Sequence, residues 1–199
     1  MIWPAPFRVV LDANVLFPFT LRDTLLRAAE AGAYQLYWSE AILEEVRRNL
    51  VATRTTDDER AVRVVTVMSD AFPEALVTGH EPLIGSMKNH PKDRHVTAAA
   101  VKAGAQVIVT SNLKDFCDLP EGIEAQTPDE FLCNLLDLEP EGMAARLTDQ
   151  AAGLKRPQVT FEQLLVALAK TVPEFVEAVR RHLAEAARSA GRESDPKAP

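Results

Sequence analysis

The chain has 199 residues, of which 47% are hydrophobic and 26% charged, and its formal net charge is -7 at pH 7. This length is enough for one α/β domain with a modest appendage, and the composition is that of an ordinary globular protein. The acidic balance argues against a general nucleic-acid coat protein, which usually has a basic face. It does not exclude a nuclease, because an acidic metal site contributes negative charge of its own.

The two cysteines, Cys117 and Cys133, have neither the spacing of a metal site nor that of a disulfide framework. We therefore interpret both as reduced or buried thiols. The N-terminal segment lacks the basic stretch followed by an apolar stretch that a secretion signal requires, and no segment reaches the ~20 apolar residues of a membrane span. These features predict a cytoplasmic protein with no membrane partner.

The first two thirds of the chain alternate between strand and helix patterns. Strands are predicted at residues 7–11, 34–38, 75–78 and 106–110, with a weaker one near residue 123, and helices at residues 20–31, 40–50, 55–71, 93–103 and from 128 onward. Thr20 or Asp23 is expected to cap the first helix and Ser39 the second, while residues 81–90 are read as a polar loop. This alternation predicts an α/β fold with a parallel sheet flanked by helices and joined by right-handed crossovers.

Beyond Glu139 every pattern is helical. Helices are predicted at residues 143–154, 160–170 and 172–187, and Thr160 with Gln163 forms a capping-box signature. We therefore divide the chain into an α/β domain at residues 1–138, a small C-terminal helical extension at 139–188, and a disordered polar tail at 189–199. About 45 residues form little core alone, so the extension is expected to pack on the α/β domain.

Acidic residues stand at four separate places in the α/β pattern. Asp12 and Asp115 follow apolar strand-like runs, whereas Asp93 opens a helical pattern. In a parallel α/β sheet the carboxyl ends of strands and the starts of adjacent helices share one edge, where carboxylates would repel one another. A divalent cation removes this conflict, because Mg²⁺ prefers carboxylate oxygens and keeps water ligands for a phosphate substrate. The pattern predicts metal-assisted hydrolysis of a phosphodiester.

Three short motifs carry a resemblance to a known family. They are Val-Val-Leu-Asp-Ala-Asn at residues 9–14, Pro-Lys-Asp-Arg-His-Val at 91–96 and Thr-Ser-Asn-Leu-Lys-Asp-Phe at 110–116. They resemble PIN-domain nucleases, in particular the VapC-like toxins of bacterial toxin–antitoxin modules, over roughly residues 8–136. The resemblance implies a ribonuclease that uses Mg²⁺ or Mn²⁺, with RNA as substrate and a cognate antitoxin as partner. The C-terminal helices are similar to an extension carried by one branch of these toxins.

The resemblance also implies the catalytic residues and metal ligands, which are Asp12, Glu45, Asp93 and Asp115. Glu44 competes with Glu45 for the second place. Glu45 is preferred because it flanks the apolar stripe of its helix, and because the family pattern places the acid directly before the apolar residue that is here Val46. Asp93 is expected to accept a proton from the attacking water; the alternative is that it only caps its helix.

Four polar residues are expected to support these acids: Asn14, Thr110, Ser111 and Asn112. Asn14 can hold the Asp12 carboxylate by a hydrogen bond or form an Asx turn. Thr110 and Ser111 can bind water or phosphate, or simply end the strand. Asn112 stands where many PIN domains have an acid, which lowers the charge of the site by one. This departure is expected to weaken metal affinity or to favour one metal ion over two, unless Asp115 supplies the missing charge.

Basic residues near the acids are candidates for RNA contacts, or for an ordinary solvated surface: Arg22, Lys88, Lys92, Arg94 and Lys114. His95 is interpreted as a structural residue that faces away from the acids. The main alternative function is a non-catalytic PIN-fold module that binds RNA or a partner, motivated by Asn112. A haloacid-dehalogenase-type phosphatase is disfavoured because Asn14 replaces its second aspartate, and no Gly-x-Gly-x-x-Gly supports dinucleotide binding. The C-terminal helices are expected to be packing helices, or to dock an antitoxin or a second protomer.

Overall fold

A computed structural model describes residues 7–54, 56–155 and 157–193. The chain forms two units, residues 1–128 and residues 129–199. The first unit contains five parallel strands: β1 (Arg8–Leu11), β2 (Gln35–Ser39), β3 (Leu76–Val77), β4 (Val107–Val109) and β5 (Glu124–Gln126). Their order in the sheet is β3-β2-β1-β4-β5. The predicted α/β fold with a parallel sheet is confirmed.

The central strand β1 is the best buried part of the sheet. Val10 pairs with Tyr37 of β2 on one side and with Ile108 of β4 on the other. Val10 and Ile108 are fully buried, as expected for β-branched residues in a strand covered on both faces. Since β1 and β4 are adjacent and parallel, whatever follows Leu11 and Val109 lies at the same edge of the sheet.

Five helices accompany these strands: α1 (Ala13–Leu16), α2 (Phe19–Glu30), α3 (Glu40–Ala52), α4 (Asp58–Ala71) and α5 (Arg94–Ala103). The alanine-rich helix α5 packs against β1, β2 and β4. Ala98, Ala99 and Ala100 are fully buried there, because small side chains allow the helix to approach the sheet closely. Gly104 ends α5 with a positive φ of 62°, as predicted for a glycine after the last helical turn.

The predicted helix starts are right for α3 and wrong for α2. Ser39 caps α3, where its hydroxyl accepts a hydrogen bond from the Ile42 N–H at 3.3 Å. Helix α2 instead begins directly after Pro18, so Thr20 and Asp23 lie inside it and neither is its N-cap residue. The fixed φ of Pro18 can lead the chain into a helix without a side-chain cap. Residues 81–90, predicted as a loop, contain a 3₁₀ turn at Glu81–Ser86.

The second unit is helical, as predicted, with α6 (Pro128–Leu138), α7 (Pro140–Gly153), α8 (Phe161–Leu168) and α9 (Pro173–Glu193). Thr160 and Gln163 form the predicted capping box at the start of α8. The Asp129 carboxylate accepts hydrogen bonds from the N–H groups of Glu174 at 3.1 Å and Phe175 at 2.7 Å, which satisfies the first turn of α9.

Helix α9 is longer than predicted. It continues to Glu193, so the first five residues of the predicted disordered tail, Ser189–Glu193, are helical. The remaining tail, residues 194–199, lies outside the described residues. Within the described part of the chain, no helix is both long enough and apolar enough to cross a membrane.

Candidate metal centre

The four candidate acids gather at the edge of the sheet where β1 and β4 end. Asp12 directly follows β1, and Asp115 lies in a 3₁₀ turn that follows β4, at Leu113–Phe116. Asp93 ends another 3₁₀ turn, at Pro91–Asp93, and immediately precedes α5. The charges of Asp93 and Glu45 both raise the pKa of Asp12, and the charge of Asp115 raises that of Asp93. The fold therefore brings Asp12 within electrostatic reach of Asp93 and Glu45, and Asp93 within reach of Asp115.

Asp12 is the most constrained of these acids. Its side chain caps α1, with Oδ1 accepting a hydrogen bond from the Ala13 N–H at 2.7 Å. Oδ2 accepts two more, from Asn14 Nδ2 at 2.6 Å and from Thr110 Oγ1 at 2.7 Å. The residue is only 4% exposed, and burial raises its pKa to about 6 despite the hydrogen bonds from Thr110 and Ala13. Asp12 is thus held in one orientation at a cost in charge repulsion and desolvation.

The polar residues after β1 and β4 lock these two strand ends together. Asn14 Nδ2 donates to Thr110 Oγ1 at 2.9 Å, and Asn14 Oδ1 accepts a hydrogen bond from the Ser111 N–H at 2.9 Å. Thr110 Oγ1 also accepts from the Asn112 N–H at 3.1 Å. The expected hydrogen bond between Asn14 and Asp12 is present, and Thr110 bonds the same carboxylate directly. Ser111 contributes to this network through its main chain.

The structure separates Glu45 from its neighbour Glu44. The Glu45 side chain is 22% exposed, and its Oε1 lies 3.8 Å from His95 Nε2. The Glu44 side chain is 46% exposed and forms two hydrogen bonds with Arg47, which lower the pKa of Glu44. Glu45 is therefore the member of the pair whose charge acts on Asp12, and its role as a metal ligand stays a prediction.

Asp93 is buried without the partner that a simple helix cap would have. It precedes α5 but makes no capping hydrogen bond with its side chain. Its Oδ2 is buried and has no hydrogen-bond partner among the described residues, and His90 Nδ1 lies 3.7 Å away. Burial and the charge of Asp115 raise the pKa of Asp93, whereas Lys92, His95 and His90 act in the opposite direction. An orphaned carboxylate oxygen at this position fits a cation ligand better than a cap.

His90 was missed in the sequence analysis. Its ring nitrogen and the carboxylate oxygens of Asp93 and Asp115 all lie within 4.8 Å of one another, a grouping compatible with a metal ion. The signal in the sequence was the three-residue spacing from His90 to Asp93 across Pro91. His95, which was expected to face away from the acids, instead lies beside Glu45, so that interpretation is wrong.

Asn112 acts on Asp115 in this structure. Its side-chain amide Nδ2 donates a hydrogen bond to Asp115 Oδ2. This hydrogen bond orients the Asp115 carboxylate. Asp115 is the residue expected to supply the negative charge that is missing at position 112. The carbonyl oxygen of Asp115 is also used, accepting hydrogen bonds from the His90 N–H at 3.0 Å and from Asn89 Nδ2 at 3.4 Å.

The candidate RNA-binding cations fall into two groups. Arg22 is 8% exposed, and its Nη1 donates to the carbonyl oxygens of Leu16 at 2.8 Å and Phe17 at 3.2 Å. This burial contradicts the expected phosphate contact, because the guanidinium is already used to satisfy the end of α1. Arg94 is half-buried and bonds the Asn89 carbonyl, whereas the lysines remain exposed: Lys88, Lys92 and Lys114.

Comparisons with known proteins agree with this architecture. A family model described as "PIN domain" matches residues 8–114, and one described as "VapC50 C-terminal domain" matches residues 128–181. A relative from Mycobacterium tuberculosis named "Putative ribonuclease VapC50" is 43% identical over 120 residues, covering 57% of this chain and 71% of the relative. No solved structure matches the chain. The chain belongs to the PIN-domain family.

Proposed function

We propose that this protein is a divalent-cation-dependent endoribonuclease whose catalytic carboxylates are Asp12, Glu45, Asp93 and Asp115. The observation that carries the proposal is the acidic group itself, in which the buried Asp93 keeps an oxygen with no hydrogen-bond partner among the described residues and Asp12 is held by three hydrogen bonds. Membership of the PIN-domain family and similarity to a relative named as a ribonuclease support RNA as the substrate.

The donor set fits Mg²⁺ or Mn²⁺. Both ions bind carboxylate oxygens, and a cation would offset the burial and the neighbouring negative charges that together raise the pKa values of Asp12 and Asp93. When bound, such an ion polarises a phosphodiester and lowers the pKa of a coordinated water. Asp12, fixed between Asn14 and Thr110, would provide a rigid anchor for it.

The remaining chemistry belongs to side chains of this site. The Asp93 carboxylate would accept the proton of the attacking water. Exposed Lys92 and Lys114 stand next to Asp93 and Asp115 in sequence and would neutralise phosphates of the RNA strand. Hydrolysis in this arrangement would leave 5′-phosphate and 3′-hydroxyl ends.

The proposal extends to a biological role as the toxin of a toxin–antitoxin pair in the cytoplasm, with a cognate antitoxin as partner. The similarity to a relative with a VapC name supports this role, and so does the match of residues 128–181 to a family model described as "VapC50 C-terminal domain". Induced expression in a bacterial host should arrest growth for the wild type and not for Asp12→Asn produced to the same level. Growth of both would argue against the toxin role while leaving the nuclease activity to be tested in vitro.

The decisive experiment is cleavage of total RNA by the purified chain with Mg²⁺ or Mn²⁺. Discrete fragments are expected from the wild type and should disappear with EDTA. Asp93→Asn is expected to lose at least about 100-fold in rate, as for removal of a general base. Glu45→Gln should also be inactive, whereas the matched variant Glu44→Gln should retain activity, because Glu44 is paired with Arg47. A folded, metal-binding wild type that cleaves no RNA would support the non-catalytic alternative.

A further inference from the structure

We propose that His90 is a metal ligand, so that the cation site is a mixed nitrogen–oxygen site that prefers a transition-metal ion such as Mn²⁺ to Mg²⁺. This inference rests on the proposed function and adds to it a ligand outside the four carboxylates. The atoms involved are a ring nitrogen of His90 and carboxylate oxygens of Asp93 and Asp115, all within 4.8 Å of one another.

The distance between His90 and Asp93 is compatible with two ligands of one ion and too long for a hydrogen bond. His90 Nδ1 and Asp93 Oδ2 are 3.7 Å apart, beyond the range of an N–H···O bond, and Asp93 Oδ2 is buried with no other partner among the described residues. Two ligands bound at about 2.1 Å to one ion lie roughly 3 Å apart at a right angle and about 4.2 Å apart on opposite sides. The observed separation falls between these limits.

The main chain holds the three ligands in place independently of their side chains. The His90 N–H donates to the Asp115 carbonyl at 3.0 Å, and the Asp93 N–H donates to the His90 carbonyl at 2.9 Å. Pro91 follows His90 and keeps its backbone out of the helical region, at a ψ of 131°. Asn112 further orients the Asp115 carboxylate by its amide hydrogen bond.

A nitrogen ligand changes which cation the site prefers. Mg²⁺ is bound almost entirely by oxygen, whereas transition-metal ions also bind imidazole; Mn²⁺ is the weakest of that series and favours oxygen, but it accepts a nitrogen ligand more readily than Mg²⁺ does. Asn112 has already removed one negative charge from the site, which weakens its purely electrostatic attraction for Mg²⁺. The imidazole of His90, which is half-exposed, would supply an additional metal ligand. Because it is neutral when it binds a metal ion, it would not add to the repulsion among the carboxylates.

Electron spin echo envelope modulation of the full chain loaded with Mn²⁺ tests the ligand directly, because a bound imidazole gives a ¹⁴N signature. We expect this signature in the wild type and its loss in His90→Gln, with Mn²⁺ affinity reduced about 10-fold or more and Mg²⁺ affinity changed much less. His182→Gln, on α9, and His95→Gln, whose ring faces Glu45, should keep the signature.

Three results would overturn the inference: no ¹⁴N signature in the wild type, its persistence in His90→Gln, or no Mn²⁺ binding by the wild type. Failure of this inference can be distinguished from failure of the proposed nuclease function. Metal-dependent RNA cleavage without the ¹⁴N signature would reject His90 as a ligand and keep the nuclease. The signature without any RNA cleavage would keep the ligand and reject the nuclease.

Discussion

The burial of Asp12 should be measurable as a pH dependence of folding stability in the absence of metal. The carboxylate is 4% exposed and close enough to Asp93 and Glu45 to feel their charges, which together bring its pKa to about 6. In the unfolded chain the same group has an ordinary pKa of 3.8. The folded state therefore binds the Asp12 proton more tightly than the unfolded state does.

The sign and size of the effect follow from this difference. Below pH 3.8 the group is protonated in both states and contributes no difference in stability. As the pH rises toward 6 the unfolded chain releases the proton first, so unfolding is favoured; above that value the cost is constant. A shift of roughly two pKa units corresponds to about 3 kcal/mol in all, of which about 2 kcal/mol develops between pH 4.5 and pH 7.5.

The assay compares urea unfolding of the wild type and Asp12→Asn in metal-free buffer at these two pH values. The substitution alters hydrogen bonds to Asn14 and Thr110, but that cost is the same at both pH values and cancels in the comparison. The stability of the wild type relative to the variant should fall by about 2 kcal/mol from pH 4.5 to pH 7.5. Added Mn²⁺ should reverse this fall at pH 7.5. An unchanged difference between the two proteins would refute the argument that Asp12 is held in an unfavourable charge state.

Three further substitutions test other parts of the structure by urea unfolding. Thr110→Val removes the hydroxyl that bonds Asp12, Asn14 and Asn112, and it should lower the free energy of unfolding by about 1–3 kcal/mol. Thr97→Val is the control and should lower it little, because the buried Thr97 hydroxyl has no partner among the described residues. Arg22→Met should lower the free energy of unfolding by about 2 kcal/mol, because it leaves the Leu16 and Phe17 carbonyl groups unpaired. Lys92→Met should change it by less than about 0.5 kcal/mol. Equal effects of the two substitutions would contradict the pairing of Arg22 with these carbonyl groups. Thr160→Ala should cost about 1 kcal/mol through loss of the capping box, and Thr148→Ala, inside α7, should not.

The parts of the fold that could be predicted from the sequence are those set by local pattern. The β-branched run at Val107–Val109 and the apolar run before Asp12 gave the adjacent strands β4 and β1, and hence the edge where the acids meet. Helical periodicity also favoured Glu45 over Glu44, because Glu45 flanks the apolar stripe of α3. These predictions depend only on patterns of neighbouring residues and not on contacts between distant segments of the chain.

The errors arose where distant segments or competing local signals decide the outcome. Arg22 was interpreted as a free cation. Its partners are the carbonyl groups of Leu16 and Phe17, which are left unpaired only because α1 ends there. His90 meets Asp115 through a main-chain hydrogen bond across 25 residues, which no spacing rule reveals. The tail after Ser189 was read as disordered from its polarity, although its Ala, Arg and Glu residues are strong helix formers.

Asn112 was the one departure that seemed to weaken the case for catalysis, and the structure gives it a different meaning. Burial raises the pKa values of Asp12 and Asp93, and the charges of neighbouring carboxylates add to that rise, so a fifth acid would increase both the desolvation cost and the repulsion. An amide that donates to Asp115 instead stabilises the ionised form of that carboxylate and fixes its direction. Asparagine at position 112 thus gives the acidic group one negative charge fewer than an acid would, and it still holds the Asp115 carboxylate in place. On this reasoning Asn112→Asp should raise the repulsion within the metal-free protein and lower its stability above pH 6, an effect opposite in sign to that of Asp12→Asn.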